Sequence, residues 1–196
     1  MKRKLLFFFL LQILTTAYAQ EKVLSDLSRH DFFYAGEGKQ QRMFIVKDGA
    51  ITRQWTNPKG RGEISDAVLM TDGHILVAHQ YGIREVTQEN ETLWSYKAPE
   101  GTEIHTIQPI GQKHVLFVQN GHPAKVVVLE IPECRVVHEF QVPTSEGVHG
   151  QFRNARLSNR GTLLLAHMSQ GYVAEYSVQG NELGRWEMPS PWSVTE

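Results

Sequence analysis

The sequence predicts an all-β fold, a β-propeller of four-stranded antiparallel blades with about four blades present. Three observations predict it. Apolar or alternating runs of five to eight residues are separated by Gly, Asn, Asp and Pro, the grammar of short strands and tight turns. These runs recur as a group every 40 to 48 residues. Each group closes on a strand that ends in an aromatic, at Trp55, Trp94, Phe140 and Trp186, with spacings of 39, 46 and 46 residues. A four-stranded sheet that is apolar on both faces cannot bury them alone, so such repeats stack as blades around an axis, with the aromatic packed between neighbours. The competing arrangement is a two-sheet sandwich in which the same aromatics are ordinary core.

In chain order, residues 1–19 read as a cleavable export signal. Lys2, Arg3 and Lys4 form its basic start, Leu5 to Leu14 is apolar apart from Gln12, and Ala17-Tyr18-Ala19 places small residues before a cut at Gln20. About ten apolar residues make only about 15 Å of helix, half of a bilayer core, so a membrane span is not expected after cleavage. The expected destination is periplasm, cell surface or medium. Residues 20–30 read as a linker. The blades follow at 31–62, 63–102, 103–150 and 151–190, with a further inner strand opening at 191–196. Blade one offers three strands, Asp31 to Gly36, Arg42 to Val46 and Ala50 to Trp55. Blade two runs Glu63 to Met70, turns at Thr71-Asp72-Gly73 and returns from His74; blade three runs Glu103 to Ile110, turns at Gly111 and returns from His114. Blade four runs Gln151 to Leu157, turns at Ser158-Asn159-Arg160-Gly161 and returns from Thr162. Either the segment at 191–196 completes blade one and closes a four-bladed ring, or the chain is a piece of a larger propeller.

Composition excludes several classes. With Lys2, Arg3 and Lys4 set aside, 17 basic residues face 21 acidic ones, a net charge of −4, which argues against a nucleic-acid partner. Hydrophobic content of 41% with 10% aromatics excludes a disordered chain. Cys134 is the single cysteine, so no internal disulfide is available and stability rests on packing.

The blade grammar, an inner strand, an Asn/Asp-Gly turn, an apolar strand and a closing Gly-x-x-x-x-Trp strand, resembles the pyrroloquinoline-quinone-like and arylsulfotransferase-like propellers. The runs Arg61 to Ala67, Gly101 to Thr106, Asn120 to Lys125 and Val148 to Arg153 are similar to those of a group of secreted bacterial propellers with no settled activity. In that group the sequence continues past a Pro-Trp-Ser segment, so the resemblance implies that this chain is truncated. The chain departs from the cofactor-binding members: the docking pattern survives only as Gly49 to Trp55 and Gly180 to Trp186, and one cysteine cannot supply the adjacent pair of quinoprotein alcohol dehydrogenases. No cofactor is therefore predicted, and pyrroloquinoline quinone is disfavoured.

In a propeller the start of each inner strand faces the central channel. Those positions hold Glu63, Ser65 and Asp66, then Glu103, His105 and Thr106, then His149, Gln151, Arg153 and Asn154, with Trp192 from the next strand. The set suits a small polar or anionic ligand or a cell-envelope protein: Arg153 can grip a carboxylate or sulfate, and Trp192 offers a face to a sugar. The simpler use of these groups is to satisfy one another around a water-filled channel. As catalytic candidates, His105, His149 and Arg153 fit a sulfotransferase in which a histidine attacks sulfate and the arginine steadies the developing charge. Nine histidines raise a metal reading, yet no pair has the tight spacing of a zinc or copper motif, so no metal site is expected. His79 and His167 recur at equivalent blade positions and could face one site. The leading expectation is an exported binding module; the alternative is an enzyme of the same architecture, arylsulfotransferase-like or quinone-dependent.

Overall fold

Residues 30–189, apart from 39, 58 and 146, are described in a computed structural model. The export signal, most of the linker, and the segment at 191–196 with Trp192 lie outside the described residues.

Among the described residues fifteen strands form four sheets, each in chain order. Strands β1 (Phe32–Ala35), β2 (Met43–Lys47) and β3 (Ala50–Trp55) make a three-stranded sheet. The second sheet is β4 (Ile64–Leu69), β5 (Ile75–His79), β6 (Gly82–Val86) and β7 (Thr92–Lys97). The third is β8 (Glu103–Ile110), β9 (His114–Asn120), β10 (Ala124–Glu130) and β11 (Arg135–Val142). The fourth is β12 (Phe152–Leu157), β13 (Leu163–His167), β14 (Tyr172–Tyr176) and β15 (Glu182–Glu187). Pairing within the three four-stranded sheets is antiparallel throughout. The chain divides into two compact units, one on the three-stranded sheet and one on the three blades that follow. In the first, Tyr34 stacks on Phe44 with ring centroids 6.0 Å apart, and Asp31 accepts a hydrogen bond from the Asp48 amide.

The second unit is built by alternation on its middle blade. Along β9, Val115 and Phe117 enter one apolar cluster and Leu116 and Val118 enter another; along β10, Val127 and Leu129 part from Ala124 and Val126 in the same way. The first cluster fills the space against Leu76, Ala78, Ile83 and Trp94 of the preceding blade. The second fills the space against Phe152, Leu163, Leu165, Tyr172 and Tyr176 of the following one. A strand with apolar groups on both faces is stable only between two neighbours, which is the propeller relation.

The closing aromatics divide. Trp94 is buried between blades, its indole Nε1–H donating to Glu85 Oε2 at 2.5 Å. Phe140 packs beside the second cluster and comes so near Gly180 that a Cβ there would sit 2.6 Å from its ring. Gly180 also has φ of 85° in the turn closed by its amide and the Ser177 carbonyl, so glycine is required twice over. Trp186 departs from the expectation. It is 53% exposed, not packed between blades.

The inner strands β4, β8 and β12 run side by side and are clipped together by side chains reaching a neighbour's backbone. Asp66 Oδ2 accepts from the Ile107 amide at 3.0 Å, Thr106 Oγ1 from the Ala155 amide at 3.1 Å and Gln108 Oε1 from the Leu157 amide at 2.7 Å. These amides belong to strands with no sheet partner on the channel side, and the clips supply one.

Phe117, fully buried and in ring contact with Tyr96 at 5.4 Å, tests the two-sided core. Phe117→Ala should lower the unfolding free energy by about 3–5 kcal/mol in urea titrations; a loss below about 1 kcal/mol would show that the interblade space collapses freely around the deletion.

Candidate functional site

Three β-bulges aim the channel residues. The ladder between β4 and β5 skips Ser65, between Ile64 and Asp66, and that between β12 and β13 skips Arg153, between Phe152 and Asn154; that between β8 and β9 skips two residues, His105 and Thr106, between Ile104 and Ile107. Ser65, His105 and Arg153 occupy these extra positions. A bulge turns a side chain out of the alternation of its strand. Ile64, Ile104 and Phe152, one residue earlier, stay buried, the last two between blades.

The three bulged side chains meet, joined by Glu63, Glu103 and His149. Arg153 Nη1 donates to Glu63 Oε1 at 2.5 Å and to His105 Nδ1 at 2.9 Å, and Nη2 donates to His149 Nε2 at 2.5 Å. Glu103 Oε2 lies 2.8 Å from His105 Nε2 and 2.8 Å from His149 Nδ1, while Oε1 accepts from Gln80 Nε2 at 2.8 Å. Ser65 Oγ is 3.0 Å from His105 Nδ1. A guanidinium only donates, so the ring nitrogens that face it must accept, and the protons sit on the opposite nitrogens. The network therefore assigns His105 as the Nε2–H tautomer and His149 as the Nδ1–H tautomer, both neutral and both donating to Glu103. The two rings meet edge to face, centroids 5.1 Å apart.

Burial sets the electrostatics. It pushes the His105 pKa down; the Glu103 hydrogen bond pulls it back, the Arg153 charge lowers it again, and the net is below the ordinary value. Burial pushes the Glu103 carboxyl up, but hydrogen bonds from His105, Gln80 and His149 outweigh it and hold it below the usual carboxylate range. His105 has no exposed side-chain surface, Glu103 and Glu63 little, whereas His149 is 53% exposed. His149 lies in a 3-10 turn, Val148–Gly150, ahead of β12, rather than at the strand start, because Gly147 at φ of 80° opens a turn that the Gly150 amide closes.

Of the residues singled out in the sequence, Glu63, Glu103, His105, His149 and Arg153 come together. Asp66 is committed to the Ile107 amide and Arg156, and Gln151 is buried with its amide group between the Gly121 N–H and the Ser145 carbonyl. Trp192 is outside the described residues. His79 and His167 share no partner. His167 Nε2 is bonded to the Tyr176 hydroxyl at 3.0 Å and stacked on Tyr172, whereas His79 lines a cleft in the second sheet's rim.

That cleft, about 670 Å³, opens beside the network and includes Glu103 and Val148 in its wall. Arg61, Tyr81 and Lys97 supply the rest of its chemistry, with the Arg61 guanidinium 5.5 Å from the Tyr81 ring centre. The sequence reading missed all three, because they lie outside the inner strands; the Arg61-Gly62 dipeptide before β4 was the available signal. His79 is driven down to about 4, by burial first and then by the Arg84 charge, against a backbone hydrogen bond at Arg61. Two clusters among the described residues gather three ionisable donors within 4.8 Å: Glu63–His105–His149 and Asp72–His74–Glu85. Sequence spacing could not reveal the first, since its members stand at the start of the second sheet, on β8 and in the turn ahead of β12.

The blades are similar to those of several solved structures. A protein of unknown function from Bacteroides caccae superposes with a TM-score of 0.70 at 22% identity, over 80% of this chain and 57% of that one. The streptogramin B lyase structure gives 0.61 at 14% identity, over 82% of this chain and 52% of that one. The WD40 β-propeller domain of Doa1 gives 0.57 at 10% identity, over 74% of this chain and 46% of that one. The chain thus spans about half the length of these structures, and the likeness shows the fold, a β-propeller. No family model matches the chain, and no curated protein matches its sequence.

Two outcomes follow from the site's protonation. Long-range 1H–15N spectra at neutral pH should show His105 as Nε2–H and His149 as Nδ1–H; the opposite tautomer at either ring would overturn the assigned network. His79 is depressed in the folded state, so its contribution is complete above the ordinary pKa of 6.5 and is lost as pH falls through about 4. Across that window His79→Gln should reduce the acid loss of stability by about 2 kcal/mol, allowing for partial exposure, read from urea midpoints. An identical acid slope in the variant would refute it.

Proposed function

We propose that this chain is part of an exported β-propeller binding module that holds a small polar or anionic ligand at the channel mouth. The observation that carries the reading is the cleft of about 670 Å³ with Arg61, Tyr81 and Lys97 on its wall, the Arg61 guanidinium over the Tyr81 ring, bordered by Glu100 and Glu103. Its size suits a sugar- or drug-sized molecule, and two cations beside one aromatic face suit an acidic or sulfated sugar. Of the channel cluster, Glu103 stands in the cleft wall, where its carboxylate can meet hydroxyl groups. A cell-envelope protein presenting an acidic side chain would meet the same cations.

A second reading has one observation in its favour. His149 is exposed, its Nδ1–H is fixed by a carboxylate and its Nε2 lone pair points at an arginine. An imidazole oriented by a carboxylate is the arrangement of an activated base or nucleophile. With Arg153 to hold the anion, this supports the arylsulfotransferase-like activity that the sequence resemblance implies. The quinone-dependent alternative finds no adjacent cysteine pair in this sequence, and Cys134, beside the Ser95 carbonyl, is held above the usual thiol range by burial and by Glu133.

Calorimetric titration with glucuronic acid and p-nitrophenyl sulfate separates these. The binding-module reading expects uptake without turnover, weakened at least about tenfold by Arg61→Ala or Lys97→Ala. Release of p-nitrophenol that His149→Gln abolishes would establish the enzyme instead. Absence of uptake of either probe, or uptake indifferent to both cleft variants, would overturn the cleft.

A further inference from the structure

The geometry points to Glu63, His105 and His149 as ligands for a divalent transition-metal ion, with the Arg153 guanidinium as the resident cation that the metal replaces. One donor atom from each of the three residues lies within 4.8 Å of the others. Arg153 touches all three residues, at Glu63 Oε1, His105 Nδ1 and His149 Nε2. Glu63 Oε1 and His105 Nδ1, both acceptors, stand only 3.4 Å apart, a separation that a shared cation makes tolerable. Two neutral imidazoles and one carboxylate are the donor set of catalytic zinc and non-haem iron sites. Bonds of about 2.0–2.2 Å require donors about 3–3.5 Å apart, so the widest pair needs to close by up to about 1.5–2 Å.

The second layer is already in place. Metal-bound imidazoles give their remote N–H to a carboxylate or carbonyl, which fixes the tautomer and raises basicity. Here one carboxylate, Glu103, takes the remote N–H of both rings, and Gln80 holds its other oxygen. The remaining coordination positions would face solvent, on the side where His149 is exposed, as an open site requires. Arg153 stands on a bulge with part of its side chain exposed, so its guanidinium can leave along the channel without disturbing the β12–β13 ladder. The other cluster fits less well. In Asp72–His74–Glu85 the His74 Nδ1 is directed at two carboxylates as a donor, and the second oxygen of Glu85 is taken by Trp94.

This assignment shares the channel cluster with the proposed binding module but does not depend on what fills the cleft. Chelator-treated full-length chain titrated with cobalt(II), followed by visible absorption and calorimetry, tests it. One equivalent should bind. Glu63→Gln and His149→Gln, the latter at an exposed turn, should each weaken binding at least about tenfold. Arg153→Gln should strengthen it about tenfold by removing the competing charge. His74→Gln and His138→Gln should leave it unchanged, and circular dichroism confirms each variant's fold. Failure of both the parent and Arg153→Gln to bind cobalt, or loss that follows His74 rather than His149, overturns the assignment. Glucuronic acid titrations with chelator present report on the cleft separately, so either idea can fail alone.

Discussion

The third sheet has apolar side chains on both of its faces, and everything else in the second unit is arranged around that fact. Val115 and Phe117 on one side, Leu116 and Val118 on the other, must each be removed from water, and no single partner can cover both. Flanking blades do so, and in packing onto this sheet they bring β4 and β12 alongside β8. The convergence of channel side chains is a by-product of that stacking. Glu63 and Arg153 are ninety positions apart in sequence, yet share a hydrogen bond because each belongs to a blade packed against the same middle one.

Within that frame the channel cluster is an ordered sandwich of charge: a cation, two neutral rings, an anion. Arg153 and Glu103 never touch directly; each speaks to the other through His105 and His149. Protonating His105 would set an N–H against the guanidinium, in keeping with its lowered pKa. The functional consequence is a pair of imidazoles whose lone pairs are presented at fixed positions rather than shared with water.

Much of this was legible in the sequence. The 40-to-48-residue recurrence, the Asp-Gly and Asn-Arg-Gly turns and the start of each inner strand all depend on local pattern, and the observed strands fall on them. Five of the channel residues, Glu63, Glu103, His105, His149 and Arg153, were legible by the same logic. Asp66 and Gln151 looked equivalent but are spent on neighbouring backbone amides and carbonyls, because a side chain one bulge away from the axis points along the interblade seam instead. Bulges have no signature in a single sequence, since they are a mismatch between two strands. Arg61, Tyr81 and Lys97 escaped because the cleft lies between loops of adjacent blades, where sequence periodicity carries no information.

The bulges also uncouple two kinds of change. In an ordinary strand a channel-facing residue is bound to the core by alternation, and altering one risks shifting the other. Here Ser65, His105 and Arg153 stand outside the ladder while Ile64 stays buried and Ile104 and Phe152 keep the seams closed. Three positions with three different chemistries already occupy the same structural slot. Divergence of the slot can proceed by single substitutions with the blades left intact, so a lineage carrying this scaffold could exchange ligands far faster than it could exchange folds.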